Sequence, residues 1–172
     1  VIARLLEKEG VKNYMVEIGG EVTMKGVNQQ GDCWRVGINK PEIGTSGVTN
    51  DVEEIVQLCQ KGGVATSGDY RNFYIKDGKK YAHTINPATG YPAGQNILSA
   101  TIVAEDCMTA DAYATTFMVL GVEKAKLLAQ SIPQKEYFII YADNNGQQKV
   151  TYSKGMLEYL PNRKTLAILE NP

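Results

Sequence analysis

Long apolar runs are missing from this 172-residue sequence. The longest mostly apolar stretches, residues 97–104 and 110–120, fall short of the roughly 20 residues that a membrane-spanning helix needs, so a soluble chain is expected. An excess of either charge is missing too. Eighteen basic and 19 acidic side chains leave a net charge of -1, and no run of Lys or Arg is long enough to make a nucleic-acid footprint. DNA and RNA are therefore not expected partners. Cysteine is scarce: Cys33, Cys59 and Cys107 are widely spaced, odd in number and without a C-x-x-C pair. That pattern suggests neither a zinc knuckle nor a disulfide framework, and free, buried thiols are expected. Histidine is scarcer still, because His83 is the only one.

What is present is enough for one domain, 1–172, with a real core, and short for two. Residues 1–9 read as a helix with Ile2, Leu5 and Leu6 on one face and Gly10 placed to end it. A start at Val1 inside such a helix leads to the expectation of a fragment or processed product. Strands are expected at 13–18, 21–27 and 34–38, as a meander, followed by a Gly/Ser/Thr/Asn loop at 42–50. Val52, Ile55, Val56 and Cys59 fit a helical face, whereas 55–58 fits an edge strand equally well. Val64 to Tyr70 runs from an apolar strand into small polar residues. Next comes a hairpin of 73–76 and 80–85 around Asp77-Gly78, a dipeptide that a type I′ turn favours. A strand at 97–103, helices at 109–120 and 122–130, paired strands at 137–141 and 149–152, a helical turn at 156–160 and a last strand at 165–169 complete the reading. Strands dominate and helices are grouped between them, which predicts an α+β fold of mostly antiparallel sheets with a few packed helices.

Three clusters carry candidate chemistry. His83 leaves a strand and enters the turn Asn86-Pro87-Ala88-Thr89-Gly90, and its imidazole can exchange a proton near neutral pH, as a general base must. By position alone, such a histidine more often serves as a structural hydrogen-bonding group. Asp111 and Thr115 are four residues apart, so on a helix they share one face and both oxygens can reach one hard cation. Two donors cannot fill a shell of about six oxygens, which points to a metal shared with a nucleotide. Asp and Thr near a helix start also serve commonly as caps. Thr66-Ser67-Gly68, with Gly62-Gly63 before it and Arg71 after, offers amides and hydroxyls to a phosphate, although a plain turn explains it as well. No Walker A loop and no Rossmann fingerprint occurs.

In order and spacing these clusters resemble one family. Asn13-Tyr14-Met15-Val16-Glu17-Ile18-Gly19-Gly20-Glu21, Trp34-Arg35-Val36-Gly37-Ile38, Ala65-Thr66-Ser67-Gly68-Asp69-Tyr70, His83-x-Ile85-Asn86-Pro87-x-Thr89-Gly90-x-Pro92 and Thr109-Ala110-Asp111-Ala112-x-Ala114-Thr115 look like the ApbE-type FAD:protein FMN transferases. The likeness covers about residues 1 to 125. It implies an enzyme that binds FAD with Mg²⁺ and transfers FMN to a Thr or Ser hydroxyl of an acceptor flavoprotein, a subunit of a membrane redox complex, with AMP leaving. On the family pattern His83 is the base, Ile85 lines the flavin site, Asp111 and Thr115 bind the metal, and Thr66 and Ser67 lie near the nucleotide. Family members are usually exported lipoproteins, which implies the periplasmic side of the bacterial inner membrane and a lipid anchor in the parent protein. The family segment ending in K-G-Y-A-x-D, which adds FAD and metal contacts, is not in this sequence. The resemblance is thus to a C-terminal half that alone binds FAD poorly or not at all. An exposed strand at the missing half would favour a homodimer. Two other readings stay open: an FAD pyrophosphatase that uses water as the acceptor, and a non-catalytic flavin-binding module.

Overall fold

A computed structural model describes residues 1–41, 52–68, 73–76, 79–82, 84–93 and 96–161. The expected loop at 42–50, the Asp77-Gly78 turn, His83 and the last strand at 165–169 lie outside the described residues. The chain opens with α1 (Ile2–Lys8), whose apolar residues do not find a core: Ile2 and Leu5 are 43% and 52% exposed. Its anchor is polar instead. Glu7 accepts from Lys25 Nζ at 3.0 Å, Lys61 Nζ at 2.9 Å and the Tyr14 hydroxyl at 3.1 Å, which ties the helix to the sheet. The two ammonium groups, Lys61 first and Lys25 second, pull the Glu7 pKa down to about 2.

The strands β1 (Tyr14–Ile18) and β2 (Glu21–Lys25) form a hairpin closed by Gly19 and Gly20, both at positive φ (72° and 105°). A two-residue loop of this hand needs positive φ at both centres, and glycine reaches it without a Cβ penalty. The expected meander stops here. The strand β3 (Trp34–Asn39) pairs with β4 (Val52–Leu58), whereas the second edge of β2 is taken by β5 (Gly62–Gly68). The ambiguous 52–59 segment is therefore a strand, and its two-residue period explains why: Glu54, Val56 and Leu58 are buried on one face. Pairing of Trp34 with Leu58 sets the flanking Cys33 and Cys59 opposite one another, and they form a disulfide with Cα atoms 4.5 Å apart. This corrects the expectation of free thiols, which holds only for Cys107.

Two small antiparallel pairs follow, β6 (Phe73–Lys76) with β7 (Lys79–Ala82) and β8 (Ile85–Asn86) with β9 (Tyr91–Pro92). Ile85 thus belongs to its own pair and does not extend the preceding hairpin. The rest is β10 (Ile97–Ala104), α2 (Cys107–Leu120), α3 (Val122–Ser131), β11 (Glu136–Ala142), β12 (Gln148–Tyr152) and a 3-10 turn at Lys154–Glu158. The main sheet runs β1-β2-β5-β10-β11-β12 with every pair antiparallel, so the α+β expectation is met.

The sheet is the middle of three layers. On one face Ala65, Ala100, Ile102 and Ile139 pack beneath Ala110, Ala114, Phe117 and Met118 of α2 and Ala125 of α3. On the other, Val64, Val103, Phe138 and Ile140 meet Ile38, Val56 and Leu58 of the β3-β4 pair, with Met156 from the 3-10 turn. Each large side chain so buried stabilises the fold by roughly 1.5–3 kcal/mol relative to exposure. Alanines let α2 sit close to the sheet, and Gly63 permits the closest approach: a Cβ there would overlap the backbone of Asp106 and Cys107. That helix begins with its own cap, because the Asp106 carboxylate accepts from Thr109 N at 2.8 Å, a bond that lowers the Asp106 pKa.

Candidate functional site: a cleft at the end of the sheet

Because β2 stops pairing at Val22↔Val64 while β5 continues beside β10 to Gly68↔Ser99, the sheet opens at one end. A cleft of about 630 Å³ occupies the opening, a size usual for a small-ligand site. Its walls are the β1-β2 turn, Thr66 to Gly68 of β5, the β3 strand, Thr84, and the Asp111 and Thr115 face of α2.

The structure brings four sequence-derived candidates together. Asp106 performs the capping, so Asp111 and Thr115, beyond the first turn, are left to face the cleft, one half-buried and the other exposed. Asp111 has no hydrogen bond or ion pair to a described residue. Thr115 Oγ1 lies 3.1 Å from Ser67 Oγ, and this contact joins the helix to the strand. Thr66 points to the opposite face of the sheet, with its hydroxyl 2.8 Å from that of Thr101. Alternation along one strand thus sends the two adjacent hydroxyls to different layers.

Ile85 is not brought to the cleft: it is 50% exposed and does not line it, whereas its neighbour Thr84 does. The turn after His83 is held by local bonds, with Asn86 Oδ1 accepting from Ala88 N at 2.9 Å and Asn86 O from Gly90 N at 2.8 Å. Ala93 N closes back on Thr84 O at 2.8 Å, which fixes the chain where it meets the cleft.

Several lining residues had no assigned role in the sequence. Glu17, Glu21, Arg35 and Asn39 reach the cleft through strand pairing; the first three had as their only earlier signal membership of ordered motifs, and Asn39 had none. The described lining is acid-rich, with three carboxylates, Glu17, Glu21 and Asp111, and one fixed cation, Arg35. Between the layers Glu54 is 3% exposed, its Oε2 has no partner among the described residues, and burial raises its pKa.

For a metal, the carboxylate of Asp111 and the hydroxyl of Thr115 are hard oxygen donors that suit Mg²⁺ as part of a shell of about six. Among the described residues no group of three or more His, Cys, Asp or Glu side chains is placed to complete it. The donor set fits a cation whose remaining ligands are phosphate oxygens, water or groups outside the described residues.

An antiparallel α+β fold with a polar cleft of about 630 Å³ at a sheet end defines a class of small-ligand-binding domain. Comparison identifies the family within that class: the ApbE family profile matches residues 1–139, and the chain belongs to the ApbE family. It is 37% identical over 155 residues to the FAD:protein FMN transferase of Vibrio cholerae serotype O1, covering 89% of this chain and 44% of that one. To the FAD:protein FMN transferase of Escherichia coli (strain K12) it is 44% identical over 125 residues, covering 73% and 34%. The solved flavin transferase ApbE from Vibrio cholerae superposes with a TM-score of 0.76 at 36% identity, over 92% of this chain and 48% of that one. The chain therefore spans about half the length of these relatives or less.

Proposed function

We propose that the protein carrying this chain transfers FMN from FAD to a Ser or Thr hydroxyl of an acceptor flavoprotein and releases AMP. The observation that carries this reading is the convergence of Ser67, Asp111 and Thr115 on one cleft, in a chain whose relatives are named FAD:protein FMN transferases. A bond forms between the acceptor oxygen and the FMN phosphorus, and the bond from that phosphorus to the bridging oxygen breaks, so that AMP leaves with the electron pair. His83 takes the proton of the attacking hydroxyl, a role that rests on its sequence motif. Asp111 and Thr115 are the residues that hold Mg²⁺, which when bound neutralises charge on the transferring phosphate. As a metal-holding residue Thr115 would use its hydroxyl oxygen as ligand and donate its proton to Ser67 Oγ, 3.1 Å away, so Ser67 would orient the threonine.

The Cys33-Cys59 disulfide supports an oxidising location, on the periplasmic side of a bacterial inner membrane, since such bonds persist outside reducing compartments. The test incubates the natural full-length protein with FAD, Mg²⁺ and an acceptor domain and reads covalent FMN by intact mass. Transfer is expected from wild type, with loss in His83→Ala while FAD binding is retained. Retained transfer in that variant removes the base assignment, and free FMN as the product makes the enzyme a pyrophosphatase.

A further inference from the structure

Arg35 is the one fixed cation among the described residues that line the cleft, beside the carboxylates of Glu17, Glu21 and Asp111. Despite them it forms no ion pair with a described residue. Its Nε is committed sideways, donating to Gln57 Oε1 at 3.1 Å across the directly paired positions of β3 and β4. Both terminal nitrogens of the guanidinium are left without a partner among the described residues.

This pair sits on an unusually well-anchored piece of backbone. Cys33 lies two residues before Arg35 and Cys59 two after Gln57, so the disulfide closes the hairpin at this end. Trp34 Nε1 donates to Lys25 O at 3.0 Å, Gln57 N to Tyr159 O at 2.7 Å, and Gly26 N to Cys59 O at 2.8 Å. The hairpin that carries Arg35 is thereby tied through β3 to β2 and through β4 to the chain after the 3-10 turn. A long, exposed arginine normally loses side-chain entropy when it captures a ligand, and a guanidinium already oriented loses less.

We infer that Arg35, positioned by Gln57 on the disulfide-closed β3-β4 hairpin, is a phosphate-binding residue that captures the pyrophosphate group of the dinucleotide through its two terminal nitrogens. The planar fork matches two oxygens of a phosphate, and the charge offsets the repulsion that three carboxylates exert on an anionic substrate. This rests on the FMN-transfer reading for the identity of the ligand, while the anion site itself does not.

The experiment uses the natural full-length protein, with FAD kinetics in one arm and calorimetric titration of inorganic pyrophosphate in the other, both with Mg²⁺. Arg35→Gln is expected to raise the KM for FAD and to weaken pyrophosphate binding by about tenfold to a hundredfold, the range for a lost charge-assisted hydrogen bond, with kcat changed far less. Arg35→Lys, which keeps charge but not the fork, should recover only part of this. Gln57→Leu should raise KM by a smaller factor at unchanged kcat, as expected of a positioning residue. Unfolding curves matching wild type show that the variants are folded. Unchanged KM and pyrophosphate affinity in folded Arg35→Gln overturns the inference. Absence of FMN transfer from wild type, with pyrophosphate binding still weakened by Arg35→Gln, overturns the transferase reading and leaves the anion site standing. Absence of both transfer and pyrophosphate binding in wild type overturns both.

Discussion

Removing the Cys33-Cys59 disulfide isolates the effect of a cross-link, because Cys59 is exposed and Cys33 half-buried, so serine in their places loses little packing. The two residues are 26 apart in sequence, and the chain-entropy relation for a loop of that length gives about 3.5 kcal/mol at 25 °C. With a urea m-value of about 2 kcal/mol/M, the unfolding midpoint of Cys33→Ser/Cys59→Ser should fall by about 1.7 M. Reduced wild type should unfold with the double variant, since both lack only the link. Thiol titration of unfolded, unreduced protein should find one reactive group, from Cys107. Three reactive thiols, or a stability loss under about 1 kcal/mol, would refute the reasoning.

Gly63→Ala should destabilise by about 1–3 kcal/mol or more, because its Cβ meets backbone at the start of α2 and not a flexible side chain. The displaced helix carries Asp111 and Thr115, so FMN transfer should fall more than the unfolded fraction explains; wild-type stability in urea would show that the helix yields freely. The acid limb of the stability profile should depend on Glu7. Its folded pKa, about 2, lies below the unfolded value, so its contribution is present above the unfolded pKa of about 4.3 and is lost as pH falls toward 2. Glu7→Gln should flatten that part of the curve, and an unchanged slope between pH 5 and pH 2 would remove Glu7 as its source.

Legibility in the sequence followed the range of the interaction. The helices expected at 109–120 and 122–130 and the strands expected at 97–103 and 137–141 match the observed elements to within two residues at each end because period is local, and Gly121 ends α2 where a stop was expected. Asp111 and Thr115 were readable as a pair for the same reason, since four residues along a helix is a fixed geometry. Failures were non-local. The partner of β3, the strand at 52–58 and the disulfide all depend on which edge of β2 is free, and that is decided by β5, some forty residues later.

By itself the sequence determined the α+β class, the family, and a short set of candidate residues, because composition, period and ordered motifs are properties of the chain alone. Tertiary structure decided what those residues face. It set Ser67 against Thr115 and turned Thr66 to the other layer, left Ile85 outside, and brought in Glu17, Glu21 and Arg35. The physical reason is strand pairing: where β2 ends and β5 runs on, an opening forms whose walls come from segments far apart in sequence, and only their register fixes which side chains meet.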